Sequence, residues 1–316
     1  MTRRGFILSA SSFALCGSTS IQKVLMSHDK SLSVFISDTH ISPRADYNYT
    51  YKALERIVDE VLLMRPLPAR VVVFGDISIA KGMRPDYKKA KPLFQRLVGA
   101  GIDVHYTMGN HDRRSSFLAT FPEAEKRMLV KDRFLSVVDL GSIDLILLDS
   151  LCQADGPEGT PNTPAGTIDR AQWDWLNENA PKWKRPFVCG AHHAPHDLSI
   201  EIDGVKKDVL VTLKECDNYV GWVQGHNHRW DKRFNIKNSK SKSATFRWLV
   251  LPSTGYWGDI GYVVARSYPD RLDVSLELKD FYYDRPLEKN KRPKCWDDIV
   301  EDKKGDYCRF SFPGTI

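Results

Sequence analysis

The chain has 316 residues, 42% of them hydrophobic and 27% charged, with a formal net charge of +6. That balance belongs to ordinary globular proteins and excludes a fold that relies on disulfides to hold its core. The positive charge suits anionic substrates, but it is mild and dispersed, so it makes no case for a nucleic-acid-binding stripe.

The N-terminus reads as an export signal over residues 1–25. A paired arginine in Thr2-Arg3-Arg4-Gly5 precedes an apolar run from Phe6 to Leu15, and the small residues Gly17, Ser18, Thr19 and Ser20 follow. This pattern resembles a twin-arginine signal and predicts a periplasmic or extracytoplasmic destination; the competing reading is a frayed basic terminus. The apolar stretch is too short and too broken by serines for a stable membrane span. Cys16 follows Phe13-Ala14-Leu15, which lacks the small residue that lipoprotein processing requires.

From residue 30 the chain alternates short apolar runs with helical patterns. Residues 32–36 read as a strand and 51–64 as a helix stopped by Pro66 and Pro68. A second strand is expected at 70–74, a helix at 86–98 with Pro92 counting against its middle, and a third strand at 102–107. Such alternation implies βαβ units around parallel strands. Residues 134–140 and 143–148 flank Gly141-Ser142 as a hairpin. Residues 153–168 have no periodic pattern and read as a lid or a surface connection. Asp169 is placed to cap a helix to about Asn179. Strands are expected at 187–191, 219–223, 247–251, 262–265 and 272–278, with 209–213 left between helix and strand. The lysine-rich stretch at 237–242 reads as a solvated hairpin tip. One domain is therefore expected over residues 30–280, followed by a charged tail, 281–316, of undefined role. None of the six cysteines forms a Cys-x-x-Cys pair, which argues against a zinc ribbon. Cys295 and Cys308 close a short loop able to pair in an oxidising compartment, and Cys189 reads as an inert core residue.

The clusters that carry chemistry all follow apolar strands. They are Asp38-Thr39-His40, Gly75-Asp76, Gly109-Asn110-His111-Asp112, His192-His193-Ala194-Pro195 and Gly225-His226-Asn227-His228. In open α/β sheets, ligands bind at the C-terminal strand ends, so five loops are placed to converge on one site. Carboxylate, imidazole and a single amide suit Fe, Mn, Zn or Co rather than Ca or thiolate metals. Taken singly, each motif is weak: Asp-x-His arises by chance, and Gly-Asp is an ordinary turn. Order, placement and ligand chemistry together point to a two-metal site, in which one carboxylate bridges the ions.

These motifs resemble the calcineurin-like metallophosphoesterase superfamily over roughly residues 32 to 260, in the branch with cyclic-nucleotide and glycerophosphodiester phosphodiesterases. The resemblance implies an α/β fold, a four-layer α/β/β/α sandwich with two mixed sheets. It implies two divalent or trivalent transition-metal ions, one held by Asp38, His40, Asp76 and His228, with Asp76 bridging. Asn110, His192 and His226 would complete the other. His192 is chosen over His193 because it lies nearer the strand, although the motif aligns either way. His111 would serve the leaving oxygen, with Asp112 orienting its ring. The second motif departs from many relatives by continuing Ile77-Ser78-Ile79-Ala80-Lys81-Gly82, which costs no ligand but blurs the subfamily. The expected activity is hydrolysis of a small anionic phosphoester, a diester before a monoester, with a non-catalytic metal-bearing scaffold as the competing class. Arg44, Tyr47, Tyr49, Tyr256 and Trp257 are candidates for meeting a base or sugar, or for loop packing. Which ester, the native metals and the oligomeric state are not legible.

Overall fold

The computed structural model describes residues 27–237, 245–278 and 305–313. The proposed signal, Cys295 and most of the lysine-rich 237–242 stretch lie outside the described residues.

In chain order the elements are β1 (His28–Ile36), α1 (Asn48–Leu63), β2 (Leu67–Phe74), α2 (Arg84–Gly99), β3 (Asp103–Thr107), α3 (Arg114–Leu118), β4 (Ser136–Asp139) and β5 (Asp144–Leu147). There follow α4 (Arg170–Asn179), β6 (Phe187–Ala191), the β7–β8 hairpin (Ser199–Ile202, Val205–Asp208), α5 (Leu210–Leu213) and β9 (Tyr219–Gln224). The chain then returns through β10 (Asp231–Lys237), β11 (Thr245–Val250), β12 (Gly261–Tyr268), β13 (Arg271–Leu278) and β14 (Tyr307–Ser311). One six-stranded sheet has the order β14-β13-β12-β1-β2-β3, and a second has β10-β11-β9-β6-β5-β4. Both are mixed. β1, β2 and β3 run parallel, as do β5, β6, β9 and β11, while the outer strands are antiparallel.

Strand periodicity builds the layers. Successive side chains of a strand point to opposite faces. In β1, Val34 and Ile36 join the α1 and α2 side chains Leu54, Ile57, Leu93 and Phe94, whereas Phe35 between them points the other way. β2 repeats the division, with Val71 and Val73 outward and Val72 and Phe74 inward. The inward set meets Leu145, Leu147, Val188 and Val223 of the second sheet. That sheet's outer face carries Ile146, Cys189, Trp222 and Trp248 against Trp173 and Leu176 of α4. The result is the expected α/β/β/α sandwich with three buried apolar seams. Each fully buried side chain of this size contributes about 1.5–3 kcal/mol.

Four local expectations change. α2 runs straight through Pro92, because Pro92 and Lys88, the residue four positions earlier whose carbonyl loses its partner, both face solvent. The uncertain segment after Asp208 is the short helix α5. β7, β8 and β10 were not expected. The tail also does not stay outside the domain. β14 pairs antiparallel with β13 and sends Cys308 and Phe310 into the middle seam. Cys308 is buried there and has no disulfide partner among the described residues, Cys295 lying outside them. Asp169 caps α4 as expected, its carboxylate accepting the Gln172 N–H at 3.0 Å.

Candidate metal centre

The ligand-bearing loops begin where the parallel strands end, and the backbone ladders continue past those ends. Asp38 N donates to Gly75 O (3.1 Å), His40 N to Asp76 O (2.9 Å) and Gly225 N to His192 O (3.1 Å). To turn inward, these loops adopt left-handed backbone at Asp38 (φ 53°), His40 (47°), Asp76 (49°), His226 (70°) and His228 (54°). Each such residue costs about 1–2 kcal/mol, and strain of this kind concentrates at functional sites. Close approach is bought with glycine. A Cβ on Gly109 would lie 2.1 Å from Asp76 Oδ1, and one on Gly75 would lie 2.6 Å from Gly109 N.

Two donor clusters result. Asp38, His40, Asp76 and His228 each present one ligand atom, all within 4.8 Å of one another. His228 Nε2 is 3.0 Å from Asp38 Oδ1 and 3.1 Å from His40 Nε2. His192, His193 and His226 form the second cluster under the same distance limit. Asp76 lies between the clusters: its Oδ2 is 3.8 Å from His40 Nε2 and 3.2 Å from His192 Nε2. Its Oδ1 accepts the His111 N–H at 2.8 Å. The first cluster and His192 are buried, as is Asn110 on the loop after β3. Among the described residues Asn110 Oδ1 has no hydrogen-bond partner, and His192 Nε2 meets only the Asp76 carboxylate at 3.2 Å. Buried polar atoms without partners are costly unless something answers them, and these are donors suited to a borderline metal.

Histidine tautomers sharpen the second cluster. His192 Nδ1 lies 2.7 Å from the Phe74 carbonyl, which can only accept. Nδ1 therefore carries a proton and donates to that carbonyl, and Nε2 is the nitrogen that faces Asp76, the usual preparation of a metal-ligating imidazole. His193 Nδ1 instead faces the Ser150 hydroxyl at 2.8 Å. The His193 N–H also donates to Ser150 Oγ (3.2 Å), so this ring is held by one serine on the β5 side rather than by a carbonyl.

Electrostatics follow the packing. Burial pulls His40 down to about 3, so it is neutral. Burial alone would raise Asp38, but the His228 and His192 rings outweigh it and hold the carboxyl at about 2. Burial also opposes a charge on His192, yet the Asp76 and Asp38 carboxylates overcome it and raise the ring to about 9.

One implied contact is absent. The Asp112 carboxylate does not orient the His111 ring, whose Nδ1 has no hydrogen-bond partner among the described residues. Asp112 accepts instead from the backbone N–H groups of Ile77, Ser78 and Gly109 and from the Tyr87 hydroxyl. Burial and the Asp76 charge push it up to about 6. It ties the second motif to the third and reaches His111 only through the main chain.

The sequence gives no sign of several residues that shape the site. Ser253 Oγ donates to Asp38 O (3.0 Å) and Thr254 Oγ1 to Ser37 O (2.9 Å). They fasten the loop that sets Tyr256 4.4 Å from the His40 ring and Trp257 4.3 Å from the His228 ring. Tyr47 lies 6.4 Å from Tyr256. Arg44, by contrast, is paired with Asp46 in solvent.

The site and sandwich define a metallophosphoesterase. The calcineurin-like phosphoesterase family matches residues 33–230, and the chain belongs to it; it is a phosphoester hydrolase. A probable cyclic nucleotide phosphodiesterase of Rhodopseudomonas palustris is 26% identical over 277 residues, covering 80% of this chain and 94% of that protein. A dimetal phosphatase from Danio rerio shares the fold, with a TM-score of 0.56 and 15% identity over 79% of this chain and 96% of that one.

Proposed function

We propose that the protein is a phosphodiesterase with a dinuclear site, and that nucleotide diesters, cyclic ones included, are among its substrates. The observation that carries the site is Asp76 Oδ2, set between His40 Nε2 and His192 Nε2. Asp38, His40, Asp76 and His228 would hold one ion, and Asp76, Asn110, His192 and His226 the other, with Fe, Mn, Zn or Co as candidates. Ions bound there would supply an activated water and neutralise phosphoryl oxygens. His192 is assigned ahead of His193 because the Phe74 carbonyl engages its Nδ1 and leaves Nε2 facing Asp76. His111, one-third exposed at the mouth with Nε2 3.9 Å from Asp76 Oδ2, would hand a proton to the departing alkoxide. Tyr256 and Trp257 offer flat faces beside the first cluster, where a base can stack. The Rhodopseudomonas relative, named for cyclic nucleotides, supports the same reading.

A panel of bis-aryl diesters, aryl monoesters and cyclic nucleotides with added Mn tests it. Faster turnover of diesters, including a cyclic nucleotide, is expected. Exclusive monoester cleavage would replace the reading with a phosphomonoesterase, and no turnover with any metal would replace it with a metal-bearing scaffold. We further propose export by the twin-arginine route, on the Arg3-Arg4 pair and the apolar run after it. Fractionation of cells expressing the full chain and an Arg3→Lys/Arg4→Lys variant tests this: the variant should stay in the cytoplasm.

A further inference from the structure

Among the described residues His111 has no hydrogen-bond partner at Nδ1; its ring meets only the His40 edge (5.0 Å) and, through Nε2, the Asp76 carboxylate (3.9 Å). Its aim therefore depends also on the backbone on either side. Both flanking carbonyls are held by one side chain: Asn162 Nδ2 donates to Asn110 O at 2.9 Å and to Asp112 O at 2.6 Å. The other end of the same amide, Oδ1, accepts the Ala154 N–H at 2.9 Å. All three bonds agree on which way the amide faces, so its orientation is determined.

The loop that carries Asn162 is fastened beside it. The Arg113 guanidinium bonds to Gly156 O, the Arg114 N–H donates to Gln153 Oε1 (3.0 Å), and Arg114 Nη2 donates to Leu151 O (2.7 Å). Arg114 is itself clamped by the buried Asp149 carboxylate at 2.7 and 2.8 Å. A segment held in this way is a brace against the third motif rather than a cover that opens.

We propose that Asn162 is a positioning residue for His111, clipping the 110–112 backbone so that the imidazole meets the leaving oxygen. The inference rests on the reading of His111 given above. In that step water forms the new P–O bond and releases one proton to solvent, which later restores the imidazolium, and the bond to the leaving group breaks with its electron pair on the alkoxide. The proton on the imidazole then moves to that oxygen. An alkoxide leaving group needs the proton; a nitrophenolate does not. A slack His111 therefore penalises poor leaving groups selectively.

The test compares the wild type, His111→Ala, Asn162→Ala and Asn162→Asp on methyl 4-nitrophenyl phosphate and on a glycerophosphodiester, each with metal content and melting temperature measured. Asn162→Asp keeps the shape and the acceptor for Ala154 but turns an oxygen toward two carbonyls. For both Asn162 variants, kcat on the glycerophosphodiester should fall about 10- to 100-fold, with less than about threefold loss on the nitrophenyl diester, an unchanged KM and full metal content. Asn162→Ser, which retains one donor, replaces any variant that fails to fold, and it should fall between Ala and wild type. If His111→Ala shows leaving-group selectivity and the Asn162 variants do not, the clip is refuted and the acid stands. If His111→Ala shows none, the reading of His111 fails first.

Discussion

The Tyr87 hydroxyl stands between the second and third motifs, donating to Asp112 Oδ1 at 3.0 Å while accepting the Arg113 N–H at 2.8 Å. The ring is fully buried on α2, and it is one of the points at which the helix layer reaches these loops, beside Asp86 accepting from Ser78 Oγ and Thr50 Oγ1 donating to His40 O. Tyr87→Phe removes a donor from a buried carboxylate and leaves a buried N–H without its acceptor. It should lower stability by about 1–3 kcal/mol. Thermal unfolding checks this, and metal content should stay near the wild-type value because no ligand is touched.

Gly109→Ala tests the crowding between the second and third motifs. The added methyl would meet Asp76 Oδ1 and the Asp76 backbone nitrogen, neither of which can retreat without moving the carboxylate proposed to bridge the ions. The proposed stoichiometry of about two ions per chain should fall below one. Elemental analysis of purified protein measures it; a fully loaded variant would show that Asp76 is not held where the structure has it.

Trp257→Ala tests the aromatic shelf over His228. If a base stacks there, KM for a cyclic nucleotide should rise roughly fivefold to thirtyfold, the equivalent of about 1–2 kcal/mol. A base-free glycerophosphodiester should change less than about twofold by the same reasoning. Equal effects on both substrates would reassign Trp257 to packing against the metal-side histidine.

Acid sensitivity should trace partly to the outer edge of β3. The His105 ring, bonded to Asp103 at 2.9 Å, and then Arg127 hold the Asp103 carboxyl below the ordinary aspartate value of 3.8. A depressed carboxylate contributes stability that is present above the unfolded value and lost as the pH falls through the folded one. Burial lowers His105 from 6.5, so the unfolded chain takes up its proton first and acid again favours unfolding. Stability should therefore decline below about pH 6.5 and again below about pH 4. Asp103→Asn should flatten the second decline by about 1 kcal/mol or less, since the pair is half exposed. Denaturant melts at pH 7, 5 and 3.5 give the comparison.

How much of this was legible depends on whether a residue acts along the chain or across it. Val34-Phe35-Ile36 shows its strand by alternation, and the five motifs name their donors because each sits directly after such a run. β14 carries the same alternation, with Cys308 and Phe310 in and Tyr307, Arg309 and Ser311 out. Five residues behind a long charged stretch are too few to announce a strand. Asn162 was hidden for another reason: it lies in a Gly- and Pro-rich loop about fifty positions from the carbonyls it holds. Asp112 was visible, but its work was not, because three backbone N–H groups and Tyr87 compete for it from elements that only folding brings near.

The two sheets share the proposed ligands. Asp38, His40, Asp76 and Asn110 follow strands of one sheet, and His192, His226 and His228 follow strands of the other. Each ion would therefore tie one layer to the other, joining residues such as His40 and His228 that are 188 positions apart. Such a tie restricts the open chain as a long-range cross-link does. Chelation would then resemble reduction of a disulfide: the apolar seam and rim hydrogen bonds such as His192 Nδ1 to Phe74 O remain, but the cross-link between the two layers is gone.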